Sequence, residues 1–365
     1  MSPKTKRNIL RVIPFGVIWL IAGWYNIAIE AMATGNVNQD PDILLSMTLP
    51  VFIFASAASS FIGLCIGLIE VVWLERVFIN KSFGKKLLFK FVLYVLVLFI
   101  AILILYPIAS AIEQNKSVID PDNWHRLIRF IGSIGFISTI TGIAFSLLLS
   151  LIYAGISENI GHRMFINMLT GKYQEPKEEE RIFLFLDMMS STTIAEKLGH
   201  QLNFRFLQDY YASLSNSIID HKGEVYQYIG DEVVITWNMK DGLSASNCIH
   251  CFFSMRKDLE AKKDKFINKY GVFPAFKGGL HAGKVTTGEI GALKKEIFYT
   301  GDVLNTTARI QDLCSKYMTD LLISAKLLSH LSSIENYHFK SVGKLDLRGK
   351  QEEIEVYQLI KEGND

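Results

Sequence analysis

The chain has 365 residues, of which 50% are hydrophobic and 20% charged, with a net charge of +2. That length suits about two or three domains, and so apolar and lightly charged a composition excludes an ordinary soluble protein. Near-neutral charge without a dense basic run excludes nucleic acid as a partner.

The apolar excess lies almost entirely before residue 160. A transmembrane helix needs about 20 mostly apolar residues. Four stretches qualify: Ile9–Ile29, Leu44–Ile69, Leu88–Ile112 and Leu127–Ile156. None carries a charge near its middle, so none marks an ion or proton path. The first has a long apolar core and no small-x-small ending, which does not read as a cleaved signal peptide. Lys4, Lys6, Arg7 and Arg11 precede or open it, while the next connection holds Asp40 and Asp42 without Lys or Arg. Arg76, Lys81, Lys85, Lys86 and Lys90 follow the second stretch. Glu113, Asp120 and Asp122 face a single Lys116 after the third, although Arg126 and Arg129 at the start of the fourth weaken that contrast. The positive-inside rule then puts both termini in the cytoplasm, in a multi-pass protein of the cell (inner) membrane with the bilayer as a partner.

Residues 158–180 read as a connector, with a short helix broken at Gly171 and Pro176 and a charged run from Lys177. Arg181 to Asp187 is an apolar strand ending in a carboxylate. Ser191, Thr192 or Thr193 is placed to cap a helix through Leu198, and a second helix fits Phe204 to Asp220. Gly223–Ile229 and Glu232–Trp237 read as a hairpin around Gly230-Asp231. A long helix to about Asn268 follows, then strands Phe276–His281 and Lys284–Ile290 around a turn at Ala282-Gly283. A helix over Asp302–Cys314, with Asp302 as its cap, and strands near Leu321–Ser324, Phe339–Leu347 and Ile354–Leu359 complete the chain. Irregular alternation around hairpins predicts an α+β fold. The domains are therefore 1–157 in the membrane, 158–180 as linker and 181–365 as a soluble domain. Cys248 and Cys251 form a CxxC with no second ligand pair, so they read as core residues.

Asp187 and Asp231 each stand at a strand end beside a turn. If the two strands are neighbours, both carboxylates project from one sheet edge, which suits Mg²⁺ held together with substrate phosphates. Asn305 and Arg309 are four apart and share a helix face. An arginine aimed at a phosphate stabilises the charge that builds there in a transition state.

Phe185-Leu186-Asp187 through Ser191-Thr192, Tyr228 to Glu232, Gly279 to Gly283, and Gly301 through Arg309 follow one another in an order and spacing that resembles the class III adenylate/guanylate cyclases, over about residues 165 to 360. The resemblance implies a ferredoxin-like catalytic domain behind an all-α four-helix transmembrane domain. It implies two Mg²⁺ or Mn²⁺ ions per site, held by Asp187, Asp231 and the Met188 carbonyl. Asn305 resembles the residue that orients the ribose and Arg309 the transition-state arginine, supplied across a homodimer. Lys350, with Arg348 beside it, lies where the family has a triphosphate-binding lysine. The reaction so implied is attack of the ribose 3′-hydroxyl of a nucleoside triphosphate, ATP foremost, on its α-phosphorus. His281 takes a structural place.

The match departs from the family at the base. Gln227 stands where a lysine is usual, and Phe298 falls at the partner position, with Thr300 two residues on. Gln227 can donate and accept, so it suits adenine and equally guanine or a pyrimidine. A catalytically silent receptor or scaffold is the rival of another class, opposed by the retention of Asp187, Asp231, Asn305 and Arg309. A transporter with a cytoplasmic domain is opposed by spans free of charge at mid-depth.

Overall fold

The computed structural model describes residues 2–34, 48–74, 83–160, 162–293, 295–331, 337–345 and 353–361. The chain forms two compact units, one of residues Thr5–Ile166 and the other built on Asn167–Asp365.

Among the described residues, the N-terminal part holds four helices long and apolar enough to cross a membrane: Pro3–Ile29, Leu49–Leu74, Val92–Gln114 and Ile134–Glu158. Their outer surfaces are apolar, with Leu49, Phe61 and Trp73 among many exposed large side chains. Phe15, Trp19, Ile66, Tyr94, Leu98 and Leu147 pack inside. Such helices satisfy every backbone hydrogen bond internally, which a lipid environment demands. Two expectations change here. The fourth stretch does not start at Leu127: an amphipathic helix Pro121–Ile131 comes first, and Gly132-Ser133 separates it from the apolar helix Ile134–Ile160. Arg126 belongs to that short helix, buried against Glu113 at 2.8 Å and Ser110 at 3.0 Å. The second stretch runs past Ile69 through a π-helical turn, Ile69–Leu74, which brings Glu70 inside the apolar helix. Glu70 is buried and pairs with Lys90 and Tyr94.

The C-terminal unit is built on one mixed sheet. Its strands are β1 (Lys177–Met188), β2 (Glu224–Ile229), β3 (Glu232–Asn238), β4 (Phe276–Ile290), β5 (Glu296–Thr300), β6 (Leu321–Ser324), β7 (Tyr337–Leu345) and β8 (Ile354–Lys361). Among the described residues they run in the order β2-β3-β1-β4-β6-β8-β7, with β5 added on β4. With helices after β1 and β3, the β2-β3-β1-β4 core is the βαββαβ, ferredoxin-like arrangement, an α+β fold. β1 is central and covered on both faces. Ile182, Leu184 and Leu186 face the helices Ser191–Asp220 and Asn247–Glu260, while Phe183 and Phe185 join Val234, Val285 and Val303 on the other side. A strand buried on both faces reads as a continuous apolar run rather than an alternating one. Cys248 and Cys251 are fully buried in the first of these cores.

Several elements differ from their local reading. β1 starts at Lys177 because the charged run pairs with β4 as far as Thr287. Ser190, in a left-handed conformation, precedes the helix Ser191–Asp220 and makes no side-chain cap bond, and Gly199 breaks that helix where two were expected. Gly301, not Asp302, occupies the cap position of the helix Asp302–Lys316. The long helix is three pieces, interrupted around Ala245 and Ser246, both with positive φ, and again at Ala261 and Lys262. β4 is one 15-residue strand with no turn at Ala282-Gly283. Its glycines serve a close approach instead. A Cβ on Gly279 would lie 2.5 Å from the Gln311 backbone nitrogen, and one on Gly283 would lie 3.1 Å from Val303. The helix Asp302–Lys316 therefore lies directly on β4, fixed in depth by the missing side chains.

Candidate functional site

β1 and β3 are antiparallel neighbours, paired as far as Leu186↔Val233. Asp187 thus leaves the end of β1 beside the β2–β3 turn, whose two residues are Gly230 and Asp231. Gly230 has φ +64°, a conformation that costs glycine nothing. The Tyr211 hydroxyl lies 2.9 Å from the Gly230 carbonyl oxygen and 3.3 Å from that of Glu232, and so clamps the turn. The expected edge with two carboxylates is formed in a single chain.

The electrostatics of that edge favour a cation. Burial and the nearby Asp231 hold the Asp187 carboxyl above its usual range against the opposing pull of Lys277. Glu232 is pushed up to about 7 by burial and by Asp187, Asp231 and Asp312. Clustered carboxylates resist ionising together unless a cation joins them. Part of that role falls to Lys277, opposite Asp187 in the β1–β4 register, with Nζ 3.3 Å from Asp187 Oδ2. Gln311 Nε2 donates to the same oxygen at 3.3 Å. Among the described residues no three His, Cys, Asp or Glu side chains form a metal cluster by themselves. Two carboxylates on one edge instead suit Mg²⁺ or Mn²⁺ completed by phosphate oxygens, and the donor set fits that use.

Beside Asp187 opens a cleft of about 470 Å³, walled by the Asp187–Thr193 turn, Lys277 and Ser315. The first backbone N–H groups of the helix Ser191–Asp220 border it, a natural seat for an anion. Lys277 also donates to Ser315 Oγ at 2.8 Å, which steadies its ammonium at the cleft.

Asn305 and Arg309 lie on the helix Asp302–Lys316, away from this edge. That helix turns Gln311 toward Asp187, and at about 100° per residue Asn305 and Arg309 occupy its other side. Among the described residues neither side chain has a hydrogen-bond or ion-pair partner. One chain therefore brings Asp187 and Asp231 together and does not bring Asn305 and Arg309 to them.

Gln227 follows a β-bulge in β2 and is exposed. Phe298 and Thr300 both lie on the exposed face of β5, whose alternate residues Ile297 and Tyr299 are buried. Met188 closes β1, its side chain buried. Lys350 and Arg348 lie outside the described residues. His281 is buried, its Nδ1 2.7 Å from Ser324 Oγ, a structural contact. Lys277, Gln311 and Tyr211 escaped the sequence reading. Only the Asp187↔Lys277 register, a tertiary fact, singles out the first of them.

The family described as "Adenylate and Guanylate cyclase catalytic domain" matches residues 173–361. The chain is 33% identical over 204 residues to Adenylate cyclase 2 of Rhizobium meliloti (strain 1021), covering 56% of each protein. It is 28% identical over 182 residues to an adenylate cyclase of Anabaena cylindrica, covering 48% of this chain and 36% of that protein. It thus spans less than two thirds of either relative. The solved structure of a bacterial light-regulated adenylyl cyclase superposes with a TM-score of 0.52 at 21% identity, over 62% of this chain and 65% of that one, a likeness of fold. With its βαββαβ core, its two aspartates on adjoining strand ends and a match over more than half its length, the chain belongs to the adenylate and guanylate cyclase catalytic-domain family.

Proposed function

We propose that the protein is a membrane-bound adenylate cyclase that converts ATP to 3′,5′-cyclic AMP and pyrophosphate as a homodimer. Residues 1–157 hold it in the cell (inner) membrane, the 158–180 segment links them to the catalytic domain 181–365, and both termini are cytoplasmic. The observation that carries the reading is the Asp187–Asp231 edge, where burial and Asp231 raise the Asp187 carboxyl, opening on a cleft lined by Lys277 and the Asp187–Thr193 turn. The two adenylate cyclases similar to the chain support adenine as the base.

Asp187, Asp231 and the Met188 carbonyl would hold two Mg²⁺ or Mn²⁺ ions, which lower the 3′-hydroxyl pKa and neutralise phosphate charge when bound. Lys277 and the N-terminus of the helix Ser191–Asp220 seat the phosphates, joined by Lys350. Asn305 of the second copy orients the ribose, and its Arg309 meets the charge that builds on the α-phosphoryl group. Asn305 and Arg309, without partners among the described residues, support such sharing, because a residue kept for a neighbour has no use for a partner in its own chain. Gln227 and Thr300 read the base. Guanine or a pyrimidine is the second reading, favoured by Gln227 at a position where lysine is usual.

Purified full-length protein given ATP, GTP, CTP or UTP with Mn²⁺ or Mg²⁺ is expected to yield cyclic AMP and pyrophosphate from ATP. Cyclic product from another triphosphate alone replaces the base assignment, and no product from any, with the protein dimeric, overturns the enzyme in favour of a silent receptor or scaffold. Asp187→Ala and Arg309→Ala proteins are each expected to be inactive and to regain activity when mixed. Absence of recovery in demonstrated heterodimers refutes the shared site.

A further inference from the structure

Arg181 lies within β1, six residues before Asp187, and is 3% exposed. It continues the row of Phe183 and Phe185, where an apolar side chain would meet the packing need without desolvating a charge. Replacing a buried ion pair by apolar residues is often neutral or stabilising, so stability alone does not account for this arginine.

Its contacts do. Nε donates to Thr236 Oγ1 of β3 at 3.0 Å. Nη1 lies 3.4 Å from Glu179 of β1 and Nη2 lies 3.5 Å from Glu224 of β2. The guanidinium covers the ring of Tyr299 of β5, 4.8 Å from its centroid. Tyr299 in turn meets Tyr226 of β2 edge to face at 4.9 Å, and its backbone N–H reaches the Tyr226 hydroxyl at 3.4 Å. Tyr226 is the extra residue of the bulge between Val225 and Gln227. One planar cation thus ties β1 and β3 to the two short strands β2 and β5, which are not paired with each other. Gln227 follows Tyr226 and Thr300 follows Tyr299 along the chain, so the cluster holds the backbone that carries each of them, and both are exposed.

We propose that Arg181 is a positioning residue for base selection, setting through Tyr299 and Tyr226 where Thr300 and Gln227 stand against the nucleotide base. The inference rests on the cyclase reading above. A lysine keeps the charge but lacks the flat fork that makes two hydrogen bonds and an ion pair while stacking on a ring.

The test compares full-length wild type, Arg181→Lys and Tyr226→Phe in detergent micelles. It measures kcat and KM for ATP and GTP with Mn²⁺, displacement of a fluorescent ATP analogue by each nucleotide, and the unfolding temperature. In Arg181→Lys the ratio of kcat/KM between the two nucleotides is expected to narrow by about 10-fold, mainly through KM, with kcat on the preferred nucleotide and the Mn²⁺ dependence kept. Tyr226→Phe moves the ratio the same way by less, and the displacement ratio follows. An Arg181→Lys protein that folds and keeps the wild-type ratio, or loses kcat equally for both nucleotides, overturns the proposal. If Arg181→Lys does not fold, an unchanged ratio in Tyr226→Phe overturns it. A wild type that cyclises neither nucleotide sinks the cyclase reading instead, and the displacement ratio then decides the role of Arg181 by itself.

Discussion

Gly279→Ala places one methyl group where the helix Asp302–Lys316 crosses β4. The new Cβ would stand 2.5 Å from the Gln311 nitrogen, 2.9 Å from its Cα and 2.9 Å from the Thr307 carbonyl oxygen. Ordinary contact begins at 3.4 Å, so the helix must retreat by about 0.9 Å. All three atoms are backbone, and no side chain can swing away to absorb the clash. Overpacking of this kind costs about 1–3 kcal/mol, and a backbone clash belongs at the upper end. For a domain of this size that lowers the unfolding temperature by about 6–12 °C. The same helix carries Asn305 and Arg309, and a misplacement near 1 Å costs about 100-fold in rate. Calorimetry and a cyclic nucleotide assay on the full-length variant read the two effects. Gly288→Ala, whose Cβ would make only ordinary contacts of 3.4–3.5 Å, is the control and is expected to be close to wild type. A Gly279→Ala protein as stable and as active as Gly288→Ala would refute the packing argument.

Tyr211→Phe removes the hydroxyl that clamps the Gly230-Asp231 turn. It is expected to cost about 1 kcal/mol of stability and to weaken the apparent Mn²⁺ affinity several-fold, read by Mn²⁺ titration of the activity; an unchanged titration refutes the clamp. Lys277→Met removes the ammonium at the cleft, and KM for the triphosphate is expected to rise about 10-fold, the loss of one charged contact of about 1.4 kcal/mol. An unchanged KM removes Lys277 from the phosphate seat. At Asp209, burial raises the carboxyl, but hydrogen bonds from Lys269 and Tyr270 and the charge of Lys265 outweigh it and hold the pKa below the usual range. A depressed acid contributes stability above its unfolded pKa and loses it as pH falls through the folded one. Asp209→Asn is therefore expected to be less stable than wild type by about 0.5–1 kcal/mol at pH 7, the group being partly solvent-screened, and equal to it near pH 2–3. Equal losses at both pH values would contradict the ion-pair account.

Much of the site was legible before any coordinates. A hydrophobic strand ending in Asp187 and a hairpin turn bearing Asp231 are local patterns, and local patterns survive folding. Glycines were the weak point. Gly283 read as part of a turn and Gly279 as an ordinary strand residue, yet both lie within one strand and clear space for the helix Asp302–Lys316. The capping residues were misplaced by one or more positions, because a cap is defined by where the chain enters the helix rather than by which hydroxyls lie nearby. Residue 350, expected at the triphosphate, lies outside the described part of the chain.

The division follows the range of the forces. Span length, apolar runs, strand alternation and turn chemistry act over a few neighbouring residues, so the four apolar helices and the α+β order of the catalytic domain could be read from the order of amino acids. Which strands adjoin, and therefore which lysine meets Asp187 and which ring covers Arg181, depends on contacts between residues far apart in the chain, such as Arg181 and Tyr299, 118 positions apart. Those contacts leave no periodic trace in the chain. Lys277 is an unremarkable lysine until β4 lies beside β1, and only the assembled sheet makes it part of a site.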